Sequence, residues 1–125
     1  MNQAMVRYQV RALDPSIAFY TNQLGFKLDM RNGPFAQVSR GDLALVLSSP
    51  GTSGARDMPD GTKQQPGGWN RILVWTEDLK GDIDKLTKAG AHFRNEIESG
   101  PGGSQILVED PDGNPIELHE AAKKQ

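Results

Sequence analysis

The sequence predicts an α+β protein built from two βαβββ modules, on three observations. Strand-like and helix-like runs follow the order strand, helix, strand, strand, strand twice along the chain. A shift of 66 positions carries Val6 to Ile72, Tyr8 to Val74, Leu13 to Leu79, Ile17 to Ile83 and Tyr20 to Leu86, apolar onto apolar each time. A single long Pro- and Gly-rich stretch separates the two halves. Two copies are too few for a solenoid, so pairing of the copies into one shared surface is expected.

The first module spans about 5–48. Its opening run Val6-Arg7-Tyr8-Gln9-Val10-Arg11 alternates, placing Val6, Tyr8 and Val10 on one strand face and Met5, Arg7 and Gln9 on the other. A helix follows, with Asp14 as its cap, Pro15 at the first helical position, and Ile17, Phe19, Tyr20 and Leu24 near a 3.6-residue period. Gly25 ends it. Strands at about 26–31, 35–39 and 43–48 are punctuated by Asn32-Gly33-Pro34 and Arg40-Gly41-Asp42. The linker 49–68 holds three Pro and five Gly, a length of irregular chain that usually serves as a lid, a wrapping loop or a connector. Its segment Arg56-Asp57-Met58-Pro59-Asp60 reads as a lid or as plain linker.

The second module spans about 69–119. A strand at 70–76 leads to a helix carrying Leu79, Ile83 and Leu86, stopped at Gly90. A short run at 91–95 precedes Gly100-Pro101-Gly102-Gly103, which lacks the Lys and following helix of a phosphate loop and reads as a tight β connection. A strand at 105–109, the turn Asp110-Pro111-Asp112-Gly113-Asn114-Pro115 and a last strand at 116–119 close the order. The tail 120–125 stands outside the repeat.

Composition excludes several functions. The 125 residues have a formal net charge of −2, which offers no clustered cations to phosphates, so neither nucleic acid nor a membrane surface is an expected partner. No run approaches the roughly 18 apolar residues of a membrane span, and the opening Met-Asn-Gln-Ala-Met lacks the regions of a signal peptide, which predicts a cytoplasmic protein. With no Cys and two His, thiolate chemistry and Cys-type zinc sites are absent. His92, just after Gly90, reads as structural.

The run Leu13-Asp14-Pro15-Ser16-Ile17-Ala18-Phe19-Tyr20 with Leu24-Gly25-Phe26, the pair Asp78-Leu79, and the stretch from Asp110 through Leu118 together resemble the glyoxalase, bleomycin-resistance and extradiol-dioxygenase superfamily, the vicinal oxygen chelate proteins. The resemblance covers about residues 5–119. It implies a curved mixed sheet around a cleft, and a homodimer. In the metal enzymes of that family four side chains line the cleft: a His or Gln early in the first strand of each module, and a carboxylate late in the last. The resemblance places these positions on Met5, on Arg71, on Val46 or Leu45, and on Glu117. Only Glu117 keeps a ligand. A guanidinium has no acceptor and stays protonated, and a metal site takes three or four protein ligands, so neither a metal nor another cofactor is expected.

Strand alternation puts Met5, Arg7 and Gln9, then Arg71, Leu73 and Trp75, then Glu117 and His119 on the faces that would look into the cleft. Arg71 and Glu117 are expected to pair in the vacated metal position. With Arg7, Gln9 and His119 they would orient a polar or anionic small-molecule ligand against Met5 and Trp75, as pockets are mostly apolar with a few convergent polar groups. The plainer alternative is an ion pair tying two strands together, worth little to stability. Catalytic residues stay unassigned, with Glu117 and His119 the candidates for a base, although Arg71 beside Glu117 favours a persistent anion. Trp69, where the linker enters a strand, reads as packing, with a cover over the cleft or an anchor for the linker as the alternatives. The function expected is small-molecule binding without the usual metal; the alternative is a lyase or isomerase of the same superfamily, metal-free or with displaced ligands.

Overall fold

A computed structural model of the chain describes residues 3–123, so the first two residues of the opening segment and the last two of the tail lie outside it. The chain forms two compact units, Met1–Pro66 and Gly67–Gln125.

The first unit contains β1 (Val6–Gln9), α1 (Leu13–Ala18) prolonged by a π-helical stretch at Phe19–Gln23, β2 (Lys27–Asn32), β3 (Phe35–Arg40) and β4 (Leu43–Ser48). Its mixed sheet has the order β1-β4-β3-β2, with β1 parallel to β4 and the other pairs antiparallel. The alternation in β1 buries Tyr8, while Leu45 and Leu47 of β4 and Val38 of β3 fill the same core. Tyr20 is fully buried and meets Phe19 and Phe26 edge to face, with ring centroids 5.2 and 5.5 Å away.

The helix begins at Leu13, with Ala12 at the N-cap, rather than behind an Asp14 cap. Burying Leu13 accounts for the earlier start: a buried Leu contributes about 1.5–3 kcal/mol, against about 1 kcal/mol for a polar cap. Asp14 instead lies in the first turn, where a carboxylate suits the helix dipole, and pairs with Arg31. Gly25 ends the helical run as expected, with φ +72° and the Phe26 N–H donating to the Tyr20 carbonyl at 3.0 Å.

The second unit contains β5 (Ile72–Trp75), α2 (Leu79–Lys88), β6 (His92–Phe93), β7 (Glu98–Gly100), β8 (Gly103–Glu109) and β9 (Pro115–Ala121). The order is β5-β9-β8-β6, with β7 also on β8 and β5 parallel to β9. Asp78 caps α2 by accepting the Gly81 N–H at 3.0 Å. Leu79 and Leu86 are buried, as are Ile72, Val74, Ile106, Val108, Ile116 and Leu118 of the sheet.

Two features differ from the sequence reading. The single short run at 91–95 is in fact followed by a second strand, β7, and both lie along β8. Between them the Asn95 side chain accepts the Leu107 N–H at 2.9 Å, taking the place of a backbone acceptor and interrupting the strand. The last strand continues to Ala121, because Ala121 pairs with Gly103 across the sheet. Gly100-Pro101-Gly102-Gly103 forms the β7–β8 hairpin, as its composition indicates.

The matching parallel pairs also fix the repeat. Arg7 lies opposite Val46 and Gln9 opposite Ser48, while Leu73 lies opposite Glu117 and Trp75 opposite His119. The counterpart of Glu117 is therefore Val46, not Leu45. Among the described residues no helix is long and apolar enough to cross a membrane.

Candidate functional site

In the second unit, alternation along β5 and β9 turns Ile72, Val74, Ile116 and Leu118 into the core and leaves Leu73, Trp75, Glu117 and His119 on the other face. Arg71, just before β5, reaches Glu117: its Nε and Nη2 donate to Glu117 Oε1 at 3.1 and 2.9 Å. The other carboxylate oxygen, Oε2, is 2.9 Å from His119 Nδ1. His119 Nε2 in turn lies 3.2 Å from the Gly102 carbonyl of the β7–β8 hairpin. Trp75 stands over His119 edge to face, with centroids 4.8 Å apart.

This chain of contacts decides the charges. Burial of Glu117, 7 % exposed, would raise its carboxyl, but hydrogen bonds from His119 and Arg71 and the guanidinium charge outweigh burial and hold it below its ordinary value. His119 faces two acceptors, a carboxylate and a carbonyl. Only the imidazolium has an N–H for each, and its pKa is raised accordingly, first by the Glu117 bond, then by Gly102, with burial opposing. The arrangement is cation, anion, cation, with every acid or base group facing a partner.

Around it lie Trp75, 59 % exposed, and Leu73, 41 % exposed. A pocket of about 220 Å³ lined by Glu98, Gln105, His119 and the hairpin glycines lies on the hairpin side of His119. Trp69 is 70 % exposed and carries the Arg94 guanidinium 4.7 Å from its ring centroid. Arg94 is held by Glu109 at 2.7 Å and by the carbonyls of Gly68 and Gly113 at 2.6 and 2.8 Å. Sequence reasoning missed this arginine. Its signal is faint: a cation in a broken strand beside a Gly-Gly-Trp entry.

The first unit holds Met5, Arg7 and Gln9 on the corresponding face. Met5 and Arg7 line a pocket of about 510 Å³ with Asn32, Phe35, Gln37, Val46 and Thr52. Arg7 Nη1 donates to Ser48 Oγ at 2.6 Å. Gln9 does not line the pocket; its amide donates to the Gly54 carbonyl at 2.9 Å and to Gln64 at 3.2 Å, fastening the linker to the first unit. Within the linker Lys63 pairs with Asp57 at 2.9 Å. Ser48 and Gln37 were legible from alternation alone, as the residues beside and opposite Val46.

Two βαβββ units, each with a mixed sheet and a polar and aromatic face turned away from its core, define a paired-module α+β protein. The chain belongs to the Glyoxalase/Bleomycin resistance protein/Dioxygenase superfamily, whose sequence profile matches residues 2–118. No curated protein sequence matches at a significant level. Among solved structures, TnmS3, an antibiotic binding protein from Streptomyces sp. CB03234, is 25% identical with a TM-score of 0.68, covering 97% of this chain and 98% of its own. A superfamily member from Sphaerobacter thermophilus DSM 20745 is 28% identical with a TM-score of 0.71, covering 96% of this chain and 98% of its own. TioX from Micromonospora sp. ML1 shares the fold at 20% identity, with a TM-score of 0.75, 98% of this chain and all of its own covered.

Proposed function

We propose that the protein binds and sequesters a small organic molecule, with Met5 and Arg7 of the first unit and Arg71, Trp75, Glu117 and His119 of the second as its ligand-facing residues, and with Gln9 holding the linker beside them. The observation that carries this reading is the occupancy of Glu117: one oxygen accepts from Arg71 and the other faces His119. A general base needs a free lone pair near its working pH. Hydrogen bonds from Arg71 and His119 favour the ionised carboxylate, and two facing acceptors favour the imidazolium, so the face is suited to binding by shape, aromatic area and charge more than to proton transfer. The likeness to an antibiotic binding protein supports the same reading.

The residues at the four family metal positions do not fit a divalent ion. Val46 offers no donor, Met5 only a thioether, Arg71 is itself a cation, and Glu117 is already engaged. Among the described residues no group of three or more His, Cys, Asp or Glu side chains gathers to hold a metal. No step of this reading passes through a metal. The reading further takes the protein to be a cytoplasmic homodimer; sedimentation velocity tests the dimer, and a species of one chain's mass would contradict it.

Trp75 supplies the readout for binding. In a Trp69→Phe variant it is the remaining indole, and titration with N-phenyl-1-naphthylamine and with 1-anilinonaphthalene-8-sulfonate is expected to give saturable quenching; no saturable quenching by either would contradict a ligand face at Trp75. Elemental analysis of untagged protein purified without chelator is expected to find far less than one divalent ion per chain. About one tightly bound ion per chain, lost in Glu117→Gln, would overturn the reading in favour of a metal-dependent lyase or isomerase.

A further inference from the structure

The two faces differ in how their cations are matched. Arg71 is neutralised by Glu117 at 2.9 Å and Arg94 by Glu109 at 2.7 Å. Arg7 has no acidic partner among the described residues, and one of its five N–H groups is used, on Ser48. It borders the larger pocket, about 510 Å³. The same pocket presents the amides of Asn32 and Gln37, which can donate, and the apolar surfaces of Met5, Phe35 and Val46. Thr52 also lines it, 6 % exposed, and its hydroxyl has no hydrogen-bond partner among the described residues.

We propose that this pocket of the first unit is an oxyanion subsite, in which Arg7 anchors a carboxylate, phosphonate or sulfonate group of the ligand while Met5, Phe35 and Val46 hold its apolar body. The proposal rests on the small-molecule reading above and adds the ligand class and the place of its charge. The planar guanidinium suits an oxyanion because it offers paired parallel donors. Its aim is set by two contacts: Ser48 on one side and the Gly54 backbone on the other. A Cβ at Gly54 would run into the Arg7 guanidinium, so the linker glycine lets the arginine lie flat against the loop.

Two dyes of similar apolar body separate the possibilities: 1-anilinonaphthalene-8-sulfonate, which carries the oxyanion, and N-phenyl-1-naphthylamine, which lacks it. The readout is the ratio of their affinities. Wild type is expected to prefer the sulfonate, Arg7→Gln to lower that preference about tenfold or more, the scale of a charge-assisted bond, and Gly54→Ala to lower it in the same direction by displacing the guanidinium. Lys80→Gln, which removes one exposed helix charge, controls for net charge and is expected to leave the ratio unchanged. Near-UV circular dichroism confirms that each variant is folded, and Gly54→Ala, which keeps the arginine, carries the test if Arg7→Gln does not fold. A ratio indifferent to both Arg7→Gln and Gly54→Ala overturns the oxyanion subsite while leaving small-molecule binding intact. Failure of wild type to bind either dye overturns both the subsite and the binding reading.

Discussion

In the first unit the pair β1–β4 sets Arg7 opposite Val46 and Gln9 opposite Ser48; in the second the pair β5–β9 sets Leu73 opposite Glu117 and Trp75 opposite His119. The same two strands thus carry unlike chemistry at equivalent positions. One face has a cation without an acid and an amide tied to the linker. The other has a closed series of charges under an aromatic ring. The opposite faces of these strands show no such divergence: Tyr8, Leu45 and Leu47 answer to Val74, Ile116 and Leu118, all buried. Helix-facing positions must fill a close-packed interior, so their hydrophobic character is fixed by the fold. The other face is constrained by what it binds.

The largest effect should come from breaking the side that the units share. Leu47→Ala and Leu118→Ala each remove a side chain that is at most 1 % exposed, and each is expected to cost about 2–5 kcal/mol in urea denaturation. A smaller loss is expected where the units differ. Glu117→Gln strips the anion from between Arg71 and His119 and should cost about 1.5–3 kcal/mol, the range for hydrogen bonds to charged groups. The Glu117 contribution is lost as pH falls through its depressed value, and the His119 contribution is lost as pH rises from 6.5 through its raised one. The network therefore stabilises most between pH 4.5 and 6.5, the ordinary values of the two groups, and Glu117→Gln should flatten the stability profile on both sides of that window. The smallest effect should follow Trp75→Leu. The ring is 59 % exposed, so stability is expected to change by no more than about 0.5 kcal/mol while the quenching titration of its ligand face is lost.

Much of the fold was legible because burial imposes periodicity. The alternation of Tyr8 and Val10 and the helical spacing of Leu79 and Leu86 both follow from which side chains the core accepts, whereas Val6, at the start of β1, is exposed. The start of α1 was misread because a local preference, the Asp14 cap, lost to burial of Leu13. The break between β6 and β7 was hidden because a side chain, Asn95, performs a backbone's role there. The contact between Arg71 and Glu117 was foreseeable from the family resemblance, which places both residues at metal positions. The acceptor that completes the His119 environment was not: the Gly102 carbonyl comes from a hairpin whose sequence carries only turn signals. Arg94 and Gly54 escaped notice for a related reason, since each acts through backbone groups distant in sequence.

The claim that the second face is a closed charge network, built to bind and not to transfer protons, is tested most directly by site-resolved carbon and nitrogen NMR titration of Glu117 and His119. The account expects Glu117 to titrate below 4.5 and His119 above 6.5, with both imidazole nitrogens protonated between those values. A neutral His119 at pH 6 with a bare Nδ1, or a Glu117 that titrates at or above its ordinary value, would contradict it.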